Sequence, residues 1–234
     1  EGTGPSLTFP LTVSGSDRYL IVSTSVPNAV TVSSITYAGA SLSLVDSETH
    51  WSSNARVETW QRIAPATGTN NVVVTFSAST DGAAGAMSFT GVHQTTPRGI
   101  PAKASNSTEQ SVTVTITSAP DELVVDGLAR SSVGWLPNPT AGPGQMERWV
   151  RVTSAVGGGS TKPGVANVTM SWSWVGLNAD ASIVAVSLKP SAGVPPPQIT
   201  IIPPPAGTNT GDNWRAQGLP LWSDTIPLNT ARPT

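Results

Sequence analysis

Acid–base chemistry in this sequence would have to run through two histidines, His50 and His93, because the chain of 234 residues has no cysteine. A Ser–His–carboxylate relay needs an acid on one ring nitrogen and the serine on the other. Asp46 and Glu48 lie close to His50 along the chain, but no Gly-x-Ser-x-Gly nucleophile turn accompanies them. Two histidines without thiolates are also too few for a zinc site. Glycoside hydrolysis needs two carboxyl groups ~5–9.5 Å apart, and Glu58 and Glu147 are the pair that similar surroundings single out. Asp121, Glu122 and Asp126 are the remaining acidic cluster, and their spacing on one strand does not make a calcium cage. The expectation is therefore no enzyme, no catalytic residues, no cofactor and no metal.

The elements around these residues read as strands. Period-2 alternation of Val, Ile, Thr and aromatic residues, punctuated by Gly, Pro, Asn and Asp, recurs throughout. It marks strands at residues 7–13, 19–25, 31–37, 42–47, 56–63, 71–77, 86–92, 111–118, 122–129, 146–153, 168–174 and 182–188. No amphipathic helix of three turns interrupts them. Many short strands with Gly/Pro turns specify a sandwich or barrel.

The pattern also repeats. Glu58-Thr59-Trp60-Gln61-Arg62-Ile63 matches Glu147-Arg148-Trp149-Val150-Arg151-Val152, and residues 71–77 match 167–173. Leu20-Ile21-Val22 can be laid on Leu123-Val124-Val125. The offset is 89 residues at the first word (60 to 149) and 96 at the second (71 to 167), with Gly157-Gly158-Gly159-Ser160 read as an extra loop. This predicts one jelly-roll-like, all-β sandwich over 1–190 with pseudo-repeated halves, about 1–98 and 105–190, joined by 94–110. Two tandem domains split near 105 are the other reading. On the Glu/Trp/Arg strands, Val57, Ile63, Val150 and Val152 are expected to face the core, and Trp60 and Trp149 to occupy equivalent places. Glu58, Trp60 and their counterparts would then face outward, as a structural ladder, a sugar-stacking surface or, least of all, a hydrolase site.

Composition narrows the class. Charged residues make up 11 % of the chain and the net charge is −2, which argues against nucleic-acid binding and polybasic membrane association. No run reaches the ~18 apolar residues of a membrane span. The Ser, Thr, Ala, Gly and Val texture with scarce Lys is that of an extracellular or particle-borne β-protein.

One stretch carries a family pattern. Ile35-Thr36-Tyr37-Ala38-Gly39-Ala40-Ser41-Leu42-Ser43-Leu44-Val45 precedes Val57-Glu58-Thr59-Trp60, then Ala64-Pro65-Ala66-Thr67-Gly68. Gly85-Ala86-Met87-Ser88-Phe89-Thr90-Gly91-Val92-His93-Gln94-Thr95-Thr96-Pro97 follows. Residues 18–98 thereby resemble a β-sandwich module family of phage structural proteins and bacterial surface proteins, and the second half follows more weakly. Ala38 stands where that family often has Gly, and His93 where it often has Asp. The resemblance implies fold and setting and brings no catalytic residues.

After Pro190 the texture changes. Residues 191–234 form a Pro-rich extended arm carrying Ile199, Ile201, Ile202, Trp214, Leu219, Leu221, Trp222, Ile226 and Leu228. Gln198–Ile202, bracketed by prolines, is expected to add as a strand to another chain's open edge, with Trp214 and Trp222 as anchors. Wrapping its own sandwich is the alternative. Of eight tryptophans, Trp172 and Trp174 share a strand face, and Trp51 and Trp135 fall in loops as candidates for glycan contact. The expectation is an oligomeric structural protein of a phage virion (decoration, tail or fibre), or a similar extracellular filament subunit. Its partners would be copies of itself and neighbouring virion or filament proteins. The alternative is a carbohydrate-binding module or adhesin that meets a host surface glycan.

Overall fold

A computed structural model describes residues 2–27, 30–52, 54–106, 109–132, 137–152, 155–191 and 197–200. These residues are all β, as the alternation predicts. In chain order the strands are β1 (Gly2–Val13), β2 (Tyr19–Val26), β3 (Val32–Tyr37), β4 (Ala40–Ser41), β5 (Ser43–Thr49) and β6 (Arg56–Ile63). Then come β7 (Gly68–Thr90), β8 (Ala102–Ser105), β9 (Ser111–Thr117), β10 (Leu123–Arg130) and β11 (Thr140–Ala141). The last are β12 (Met146–Val152), β13 (Val156–Pro163), β14 (Asn167–Ser173), β15 (Ala181–Leu188) and β16 (Gln198–Thr200). Among the described residues no helix is long and apolar enough to cross a membrane.

Four layers stack. The first part of β7 pairs with β1 and β3 in an outer layer, and its last part pairs with β2 and β16 in an inner layer that continues through β6 to β5. The second half supplies an inner sheet in the order β12-β13-β10-β15-β8 and an outer sheet β11-β14-β9. Each half closes a core of its own. Leu20, Val22, Ile35, Tyr37, Val72, Val74 and Phe76 fill the first, and Val114, Ile116, Val124, Leu128, Met170, Trp172 and Ile183 fill the second. A third apolar layer joins the inner sheets: Tyr19, Ile21, Met87 and Phe89 meet Leu123, Val125, Val186 and Leu188. The halves thus do not share one inter-sheet core, and the stretch read as their connector contains β8.

Layer position explains the burial patterns. The outer strands β9 and β14 alternate buried and exposed residues, as a sheet with one wet face must. The inner strands β2, β10 and β15 are buried at every residue because both faces are covered.

The repeat holds in part. In sheet order β7-β2-β6-β5 corresponds to β15-β10-β13-β12. The match of 71–77 with 167–173 is structural, since Val72, Val74 and Phe76 play the roles of Val168, Met170 and Trp172. Laying Leu20 on Leu123 is off by one. Tyr19 pairs with Phe89 as Leu123 pairs with Leu188, and a one-residue slip exchanges faces. The Glu-x-Trp-x-Arg match is accidental: Trp60 lies on β6, flanked by β2 and β5, whereas Trp149 lies on β12, paired only with β13.

The expected core face of those strands is corrected as well. Val57 is buried, but between the two inner sheets. Ile63 is exposed, and Val150 and Val152 are only half-buried. Glu58 and Trp60 instead turn into the first half. Glu58 Oε1 accepts from Arg56 Nε (2.8 Å) and the Val32 N–H (3.0 Å), and its Oε2 accepts from Trp60 Nε1 (3.1 Å). Three donors satisfy a carboxylate that is 2 % exposed, which is what makes its burial tolerable.

Residues 157–159, read as a loop, form the middle of β13. There the glycines carry two indoles. A Cβ on Gly158 would meet Trp172 at 3.0 Å, whereas Cβ atoms on Gly157, Gly159 and the facing Gly85 would meet Trp149. Trp172 and Trp149 therefore lie against opposite faces of one strand, at a distance that only glycine permits. Trp172 and Trp174, which could have formed a core or a trimer contact, are both core.

Candidate binding site at the loop end

The loops after β2, between β5 and β6, after β10 and between β14 and β15 meet at one end of the stack. Pro27, Asn54, Ser131, Ser132, Asn178, Ala179 and Asp180 line a shallow, open depression there of about 340 Å³. The Ser131 N–H donates to Asp180 O at 2.8 Å and the Asp180 N–H to Ser131 Oγ at 3.0 Å, so one backbone bond and one bond to a hydroxyl hold the floor.

His50 is brought here to Ser52 and Asp180, not to Asp46 or Glu48. Ser52 Oγ lies 2.7 Å from His50 Nδ1 and 2.6 Å from Asp180 Oδ2, and His50 Nδ1 is 3.6 Å from Asp180 Oδ1. The Asn54 amide donates to the same Oδ2 at 3.2 Å. The Ser52 N–H also donates to Nδ1, at 3.2 Å, and Ser52 Oγ bridges that nitrogen and the carboxylate. This grouping of a serine, a histidine and a carboxylate departs from the expectation, yet it does not divide the labour as a relay does. Serine and acid share one ring nitrogen, the serine proton points to the acid, and Nε2 is buried without a hydrogen-bond partner. What the cluster does is tie the β5–β6 loop of the first half to the second half. Asp180→Ala strands the Ser52 and Asn54 donors and is expected to cost about 1–3 kcal/mol in urea denaturation. An unchanged midpoint would mean that these bonds do not hold the halves together.

The other sequence candidates separate. His93 caps its own turn, with Nδ1 accepting from the Thr95 and Thr96 N–H groups at 3.2 and 3.0 Å. Glu58 is buried in the first half and the exposed Glu147 sits on the edge strand of the second inner sheet, so they form no facing pair. Among the described residues no group of three or more His, Asp or Glu could hold a metal ion. Asp126 is wholly buried in the second core, where burial pushes its carboxyl up to about 7 against the pull of its hydrogen bonds to Ser160 and Trp172. Trp51 is 75 % exposed on the β5–β6 loop, as expected of a loop tryptophan. Trp135 lies outside the described residues, as do Ile201, Ile202, Trp214, Leu221, Trp222 and Ile226.

Of the arm, Gln198–Thr200 is described. It was expected on another chain's edge, and it pairs instead with this chain's own β7, with Gln198, Ile199 and Thr200 opposite Thr90, Phe89 and Ser88. Ile199 packs onto the apolar layer between the halves. On that side of β7, Ala83–Met87 have no strand partner among the described residues; their pairing is to β2 on the other side.

No protein-family model, no curated protein and no solved structure matches this chain.

Proposed function

We propose that the chain is a structural subunit of a phage virion, as a decoration, tail or fibre protein, or of a similar extracellular filament. In this reading it assembles with copies of itself and its neighbours by strand addition. The observation that carries the proposal is the β7 edge. Ala83-Ala84-Gly85-Ala86-Met87 is uncharged and lacks proline, and among the described residues it pairs with β2 alone, on the side away from the arm. Sheet edges are normally blunted by charge, proline or a covering element, and an unblunted one suits an incoming strand. The resemblance of residues 18–98 to phage and surface modules points the same way.

The chain has no cysteine, so a disulfide can report who pairs with whom. Gln198→Cys and Thr90→Cys are made on separate chains and mixed under oxidising conditions. A covalent dimer of the two is expected if the arm is exchanged. If only the doubly substituted chain closes a bond, and closes it within itself, the arm is a staple and assembly through it is wrong. Truncation after Pro190 is expected to abolish assembly and lower the melting temperature, since Ile199 leaves the layer between the halves. A shortened chain that still assembles and melts unchanged would exclude the arm as clamp and as core.

A further inference from the structure

We infer that the depression at the loop end, together with Trp51, binds a neutral glycan, a role separate from arm-mediated assembly. Four features of this end converge on that ligand. The first is the indole of Trp51, which does not line the depression but directly precedes Ser52, whose Oγ donates to Asp180 of the lining. Trp51 exposes 75 % of its surface between residues that are firmly placed: His50 before it is fully buried, and Ser52 after it is hydrogen-bonded to Asp180. A large aromatic face held by its neighbours and left in water is a platform for the apolar face of a ring, since stacking costs little ordering.

The second feature is the polar lining. Asp180, Asn54, Asn178, Ser131 and Ser132 offer one carboxylate, two amides and two hydroxyls. Amides and carboxylates present paired sites that suit neighbouring hydroxyls. The carboxylate is already oriented, because Oδ2 accepts from Ser52 and Asn54, while the side chain keeps 19 % exposure. The third is charge. Among the described residues of the lining Asp180 is the single ionisable group, and none of them is a cation for a phosphate, a sulfated chain or an acidic peptide. The fourth is shape. A hollow of about 340 Å³ is at the small end of ligand sites, ~300–1,000 Å³, which suits one or two sugar rings. The loop from β14 to β15 that supplies Asn178 and Asp180 also exposes Val175 and Leu177, which extends the apolar surface at this end.

The test uses the full chain, fluorescently labelled, on an array of immobilised oligosaccharides that includes neutral hexose and N-acetylhexosamine chains and acidic ones. Neutral glycans that score are then titrated in solution while tryptophan fluorescence is read. Binding to neutral glycans is expected. Trp51→Ala should weaken it at least ten-fold, Asn178→Ala several-fold, and neither should move the melting temperature, because both side chains are exposed. Absence of binding to every neutral glycan overturns the inference. So does unchanged affinity in Trp51→Ala, or binding confined to acidic glycans and abolished by salt. Asp180→Ala is left out of this comparison because that residue also ties the halves.

Discussion

From pH 4 to pH 7 the stability advantage of the native chain over an Asp126→Asn variant falls by on the order of 4 kcal/mol. Asp126 stands on β10 inside the second core. Its Oδ1 accepts from the Ser160 N–H (2.7 Å) and Ser160 Oγ (2.9 Å), and its Oδ2 from Trp172 Nε1 (3.0 Å). These donors favour the carboxylate, but loss of water outweighs them and lifts the carboxyl to about 7 from an ordinary value of 3.8. Between those two values the folded chain holds a proton that the unfolded chain has released. Stability from this group is therefore full below the unfolded value, declines as pH rises, and is flat above about 7. The sign is opposite to that of an ion-paired acid. Asparagine does not titrate, so the difference between native and variant isolates the group even though other carboxylates act at low pH. Urea denaturation at half-unit intervals measures it, and parallel curves for the two chains would show that Asp126 is already ionised in the fold.

The second expected result concerns adjacent glycines under two different indoles. Gly158→Val lowers stability by about 3 kcal/mol or more, and Gly159→Ala costs about 1–3 kcal/mol and changes the emission of Trp149. Overpacking a closed core typically costs about 1–3 kcal/mol per added group, and valine brings a branched side chain. Gly158 faces Trp172, which has no exposed surface and is fixed through Nε1 to Asp126. That ring cannot retreat without breaking the bond that accommodates the buried acid. A Cβ on Gly159 would overlap the Trp149 indole, whose Nε1 is buried and which Gly85 of β7 also approaches, so the ring must shift to admit even a methyl group. An unchanged midpoint in Gly159→Ala would mean that Trp149 has room to move.

The strands themselves were legible. Arg56–Ile63 is found at the bounds that alternation assigns, and Ser111–Thr117, Leu123–Arg130 and Ala181–Leu188 lie within a residue or two. Residues 71–77 and 86–92 were read as two strands because Ser77–Gly85 lacks large apolar residues, yet one long strand, β7, runs through both. Facing was less legible for a physical reason. Alternation names the core face only when the other face is wet, and the two inner sheets are covered on both. Choosing the aliphatic residues Val57 and Ile63 as the core face turns β6 the wrong way, because three donors receive Glu58 inside. β13 escaped notice because a run of glycines lowers strand propensity, and what demands it is a pair of indoles from other strands. Of the site, Trp51 could be found from its place in a loop. Asp180 could not, since 126 residues or more separate it from Ser52 and Asn54 of the β5–β6 loop that it joins.

Gly2–Val13 and Gln198–Thr200 are laid on one strand. Gly2 pairs opposite Gly82 and Thr200 opposite Ser88, six positions apart and so about 20 Å along an extended strand. A tensile load entering through Gly2 and leaving through Thr200 consequently takes a short route: β1, a few residues of β7, and β16. The second sandwich hangs beside that route and bears no force until the pairing of Gln198–Thr200 with β7 opens. Such a load peels a rim contact first, and its release would leave both hydrophobic interiors intact.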